Sequence, residues 1–145
     1  DRYIPSENTN GKKAILKYGG TGAKQEAQNG LPHIRNYSLP LYMKKLISND
    51  EKQAKYAALL ILMATLNDTC ILHRGGKAGL QYVQNSARDL LKKNIINEED
   101  LNILNEVLIK KNLSPGGSAD LFAATLFLYK LVLQHSKPQL QLLNM

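Results

Sequence analysis

The chain has 145 residues, of which 43% are hydrophobic and 21% charged, and it carries a formal net charge of +7. That length suits one core and one domain over 1–145, and that composition excludes wholesale disorder. A single cysteine, Cys70, excludes an internal disulfide framework or a four-cysteine zinc site and fits a reduced, cytoplasmic setting. In chain order, apolar periodicity predicts an all-α bundle of roughly six helices. The first runs from Thr9 to Tyr18 and is stopped by Gly19-Gly20. A polar, glycine-bearing loop is expected from Gly19 to Tyr37, and a second helix starts at Ser38 with Pro40 in its first turn. The third starts at Asn49 or Asp50, is apolar nearly all round, and is expected to persist until Gly75-Gly76. The fourth covers Lys77 to Lys92. The fifth has Asn97 as N-cap, with Glu98, Glu99 and Asp100 in the first turn, where the positive helix end favours acids. The sixth runs from Ser114 to about Gln134. No alternating run of strand length competes.

The positive balance favours anionic partners: nucleic acid, an acidic membrane surface or phosphorylated small molecules. The lysines, however, come as scattered pairs such as Lys44-Lys45 and Lys92-Lys93, and there is no Trp. With no basic block and no aromatic-basic interleaving, nucleic acid is not an expected partner. The apolar stretches Tyr56 to Leu66 and Leu121 to Leu133 read as too short or too interrupted to span a membrane. No charged-then-apolar signal peptide opens the chain.

Three segments carry groups that a plain bundle does not need. In SPGGSAD, Ser114 to Asp120, the serine as N-cap and Pro115 as first helical residue are ordinary start signals. Gly116 and Gly117 then leave bare backbone N–H groups that suit an anion at the positive helix end; close packing against another helix is the plainer alternative. In DTCILHRGG, Asp68 to Gly76, Asp68 suits Mg²⁺ and Arg74 suits a phosphate, with an Asp–Arg ion pair as the alternative. In GGTGAKQEAQNGLP, Gly19 to Pro32, Lys24 and Glu26 lie between glycines, but no complete phosphate-loop pattern is present and a flexible connector explains it as well. His33 and His135 look isolated, and Cys70 looks like a packing residue.

Together these segments resemble the triphosphoribosyl-dephospho-coenzyme A synthase family, whose members serve citrate lyase, with a close relative serving malonate decarboxylase. Ser114 to Ala123 reads SPGGSADLFA, close to the family's SPGGSADLLA. Asp68 to Gly76 is similar to DTNVLHRGG, with Cys70 for Asn. Gly22 to Pro32 is similar to GxRGEAxxGFP, with Lys24 for Arg, Gln25 for Gly and Leu31 for Phe. The family's KPGLVD and NTHKG-type segments are absent. The chain is therefore expected to be the C-terminal half of such a synthase, as a fragment or a shortened relative, inside a larger all-α fold.

The resemblance implies transfer of the triphosphoribosyl group of ATP to the 2′-hydroxyl of 3′-dephospho-CoA, with release of adenine. The implied roster is Lys24, Arg74, Ser114, Gly116 and Gly117 on the triphosphate. Glu26 or Asp68 is the carboxylate that acts as base or stabilises the cationic transition state. Asp68 and Asp120 hold Mg²⁺, or Asp120 orients Arg74. The expected partners are ATP, 3′-dephospho-CoA and the missing N-terminal half, with a homodimer as a further expected arrangement. The competing class is a non-catalytic helical module that docks an acidic protein or a nucleotide.

Overall fold

The computed structural model describes residues 22–48 and 50–143, with side chains as far as Ser136. The expected helix Thr9–Tyr18 lies outside the described residues. Among the described residues the fold is all-α: α1 (Ala23–Gln28), a π-helical turn (Ile34–Ser38) running into α2 (Leu39–Ser48), α3 (Glu51–Thr65), α4 (Thr69–Leu91), α5 (Glu98–Lys110) and α6 (Gly116–Leu143).

The centre is α3. Asp50 caps it by accepting from the Gln53 backbone N–H at 2.8 Å. Its buried face is rich in small residues, with Ala54, Ala57, Ala58 and Ala64 beside Leu60, Leu62 and Met63. Alanine keeps helix propensity high and lets neighbours approach closely. The π turn, α2, α4 and α6 all pack on it. Leu60, Met63, Ile71, Leu72, Val83 and Leu108 belong to the largest core cluster. A second cluster joins Ile34, Leu62, Leu66 and Leu121. In a third, Tyr42 meets Tyr129 edge-on at 5.0 Å between ring centroids.

Two side-chain ties fix the packing. Gln53 donates to the Ile96 carbonyl at 2.8 Å and accepts from the Ile96 N–H at 2.9 Å, so one amide satisfies both backbone groups of a buried connector residue. Thr125 donates to the Leu121 carbonyl at 2.7 Å, which leaves Ser38 as donor to Thr125 Oγ1, also at 2.7 Å. That buried bond pins the π turn to α6.

The structure departs from the sequence expectations in four places. The stretch expected as a loop up to Tyr37 contains α1 and most of the π turn. The long third helix does not persist: α3 ends at Thr65, the backbone is extended at Leu66 (ψ 134°), and Asp68 starts a new helix. The short polar side chains of Asn67 and Asp68 compete for backbone groups, which favours a break and a new cap. The Gly75-Gly76 boundary survives only as a kink within α4, where Gly76 takes φ 62°. Close approach explains Gly75 and Gly79, because a Cβ on either would run into the buried Leu113 side chain. Finally, α6 over Gly116–Ser136 is long and apolar enough to cross a membrane by length and composition, with mean hydropathy 1.3, against the expectation that no stretch is. Its Leu121 and Thr125 are nevertheless buried in the bundle.

Candidate functional site

The first turn of α4 is where the conspicuous segments meet. Asp68 is its N-cap and is fully buried. One carboxylate oxygen accepts from the Cys70 N–H at 2.9 Å and the Gly117 N–H at 3.3 Å. The other accepts from the Ser118 N–H at 2.8 Å and the Ser118 hydroxyl at 3.0 Å. Four donors fill the roughly four lone-pair positions of a carboxylate. One side chain therefore caps α4 and α6 together, with the positive ends of both helices turned on its charge.

This geometry explains the glycine pair. A Cβ on Gly117 would lie 3.1 Å from the Asp68 carboxyl, and one on Gly116 would lie 2.9 Å from the Cys70 sulfur. The start of α6 does receive an anion, as its bare N–H groups suggest, but the anion is Asp68. The Gly117 N–H is thus turned away from any triphosphate. Asp68 has no lone pair left for Mg²⁺ or for a substrate proton. The described residues also bring no group of three His, Cys, Asp or Glu side chains together. An Asp68–Asp120 magnesium site does not fit these residues.

The remaining expected groups lie around this junction. Cys70 is exposed beside Gly116. Partial burial pushes its thiol pKa up, as do the nearby charges of Asp68 and Asp120, while the Gly117 N–H and Arg74 pull it down. Cys70 thus senses both Asp120, exposed one turn into α6, and Arg74. Arg74 donates to the Asn112 side-chain carbonyl at 2.7 Å. Asn112 follows the end of α5 with φ 55°, a left-handed position that Asn tolerates better than most residues. Arg74 and Ser114 both line a cavity of about 500 Å³ between α3 and α5.

On the other flank, Gly22 abuts the Thr69 hydroxyl; a Cβ there would lie 3.5 Å from it. Glu26 is one helical turn further, with its backbone N–H on the Gly22 carbonyl at 2.9 Å. Its side chain is only 1% exposed and accepts from the His33 backbone N–H and from His33 Nδ1, at 3.1 and 3.0 Å to its two oxygens. The positive φ of Gly30 (79°) and Leu31 (58°) folds the chain back so that His33 meets Glu26. The histidine side chain is 23% exposed. His33 Nδ1 is the ring nitrogen on Glu26, which leaves Nε2 as the nitrogen free of this contact. Lys24 lies exposed on α1.

Sequence reasoning missed His33, Ser118 and Asn112. The Asp68-Thr69 pair was a readable N-cap signal, hidden by the apolar residues on both sides. His33 and Asn112 gave none, because a left-handed residue beside each, or at it, decides where the side chain goes.

Comparison with known proteins identifies the family. The family described as CitG, ATP:dephospho-CoA triphosphoribosyl transferase, matches residues 1–138. A protein from Pseudomonas syringae pv. tomato named probable 2-(5″-triphosphoribosyl)-3′-dephosphocoenzyme-A synthase is 40% identical over 133 residues, covering 88% of this chain and 46% of the relative. Proteins of the same name from Vibrio cholerae serotype O1 and Azotobacter vinelandii are 45% and 39% identical, covering 86% and 90% of this chain and 41% and 47% of their own lengths. The chain thus spans about half the length of these curated relatives. No solved structure matches it. With the family matching nearly the whole chain, the chain belongs to the ATP:dephospho-CoA triphosphoribosyl transferase family.

Proposed function

We propose that this chain supplies a substrate-gripping and proton-transferring portion of an enzyme that joins the triphosphoribosyl group of ATP to the 2′-hydroxyl of 3′-dephospho-CoA. The observation that carries the reading is the joint at Asp68, which locks the DTCILHRGG and SPGGSAD segments into one place. The reaction breaks the N-glycosidic bond of ATP, passes through an oxocarbenium-like transition state, and joins the ribose C1 to the attacking oxygen. The hydroxyl proton goes to His33 Nε2, held ready by Glu26, and is returned to the leaving adenine. Glu26, sealed by burial, acts through His33 and stabilises the imidazolium as it forms. Arg74, Lys24 and the exposed Ser114 face the triphosphate, with Arg74 presenting the donors not used on Asn112. Magnesium accompanies the triphosphate rather than resting on an Asp68–Asp120 pair, and Asp120 contributes its charge near Cys70. The setting is cytoplasmic, and the product serves a citrate lyase or malonate decarboxylase prosthetic group.

Adenine release from ATP, measured with and without 3′-dephospho-CoA on the whole protein, tests this directly. Release that requires the acceptor supports the transferase. Nucleotide binding with no adenine released supports a non-catalytic module instead. Arg74→Ala should raise the ATP requirement at least about tenfold, the scale of one lost charge-assisted contact; an unchanged KM removes Arg74 from the site.

A further inference from the structure

We infer that the groove between α3 and α5 binds the pantetheine arm of dephospho-CoA, with the phosphate at its inner end held by Arg74. The inference rests on the transferase reading and deepens it, since ATP alone does not need this groove.

The cavity, about 500 Å³, is within the range that encloses a drug-sized ligand. Its walls are aliphatic and aromatic: Tyr56 and Leu59 from α3 face Leu101 and Leu104 from α5, all of them only partly buried by the core behind. Into these walls α5 sets Asn102 and Asn105, three residues apart and therefore on one helix face. Both are exposed, neutral amides that donate and accept. Among the lining residues Arg74 is the one charged side chain, and it is bonded to Asn112, which lines the groove together with Ser114 and Pro115. Asn112 holds one prong of the guanidinium, leaving further N–H groups for an anion.

The complementary ligand is thus a neutral chain that alternates aliphatic carbon with amides and ends in a phosphate. Pantetheine phosphate has that form. An adenine ring or a bare triphosphate does not. Ser114 and Pro115 line the groove and directly precede Gly116 and the Asp68 joint in the chain, so a phosphate on one edge of the Arg74 guanidinium sets the nucleoside end of the acceptor beside the triphosphate proposed for its other N–H groups. A plain alkyl phosphate shares the charge and the apolar tail but cannot use the two amides, which separates a lipid-like ligand from this one.

The test is a calorimetric titration of the whole protein with 4′-phosphopantetheine, pantetheine and octyl phosphate. The expected result is 4′-phosphopantetheine binding at least about tenfold tighter than either of the others, with Arg74→Ala bringing it down to the pantetheine level. Absence of 4′-phosphopantetheine binding, or equal binding of octyl phosphate, overturns the inference. A second arm uses Asn105→Trp, an exposed position where the indole fills the groove. It should raise the KM for dephospho-CoA by about tenfold or more while the KM for ATP stays within about twofold. Unchanged values for both substrates overturn the groove and leave the transferase standing. If the unmodified protein releases no adenine at all, the transferase reading falls, and the titration still decides the groove.

Discussion

Asp68 and Glu26 are both buried carboxylates that accept backbone N–H groups at a helix start, yet their surroundings differ in kind. Asp68 meets three backbone N–H groups and a serine hydroxyl, none of which titrates in the ordinary pH range. Glu26 meets a histidine whose ring reaches solvent. The first arrangement is a permanent joint between two helices. The second is a buried carboxylate paired with a partly exposed imidazole. Burial and a carboxyl group are common to both, so the donors, and not the depth, separate the structural acid from the one proposed for proton transfer.

Breaking the joint should have the largest effect. Asp68→Ala leaves the Gly117 and Ser118 N–H groups without an acceptor and uncaps α4, which should cost about 3–5 kcal/mol in urea denaturation. A loss below about 1 kcal/mol would show that packing alone holds α4 and α6 together. Glu26→Gln is the contrasting change. Its amide oxygen still accepts from the His33 N–H, so stability should move by less than about 1 kcal/mol. The rate of adenine release should nevertheless fall about 100-fold, the low end for a lost acid–base partner. Wild-type turnover in that variant would make Glu26 a second structural joint and erase the contrast.

A smaller effect sharpens the reading of the glycines. Gly117→Ala gains about 1 kcal/mol of helix propensity but crowds the Asp68 carboxyl, for a net loss of about 1 kcal/mol. In an Asp68→Ala background the crowding disappears and the same change should stabilise. A double-mutant cycle showing no coupling would remove Asp68 as the reason for that glycine. The smallest expected effect is at Cys70. Its raised pKa means fewer thiolates at any given pH, so iodoacetamide alkylation should rise at a higher pH than for an ordinary thiol. Asp120→Asn removes a charge that raises this pKa and should shift the profile to lower pH; Arg74→Ala should shift it upward. Profiles that do not move would place those two charges outside the junction.

Much of the helical framework was legible locally. Asp50 caps α3, the Glu98, Glu99 and Asp100 cluster opens α5, and Ser114-Pro115 precede α6, each through signals confined to a few neighbouring residues. The break at Leu66 to Asp68 was not, because Leu62 before it and Ile71 after it continue one apolar pattern, and periodicity does not resolve a break that short. The pairing of Glu26 with His33 depends on the backbone turn at Gly30 and Leu31, and an expected loop gave no reason to place a left-handed leucine there.

What the sequence alone determined is that this chain is helical and that bare N–H groups at the start of α6 suit an anion, since both follow from interactions within one or two turns. What only the tertiary structure decided is the source of that anion. Asp68 lies 49 residues from Gly117 in the chain, and only the packing of α4 against α6 brings its carboxylate within hydrogen-bond reach.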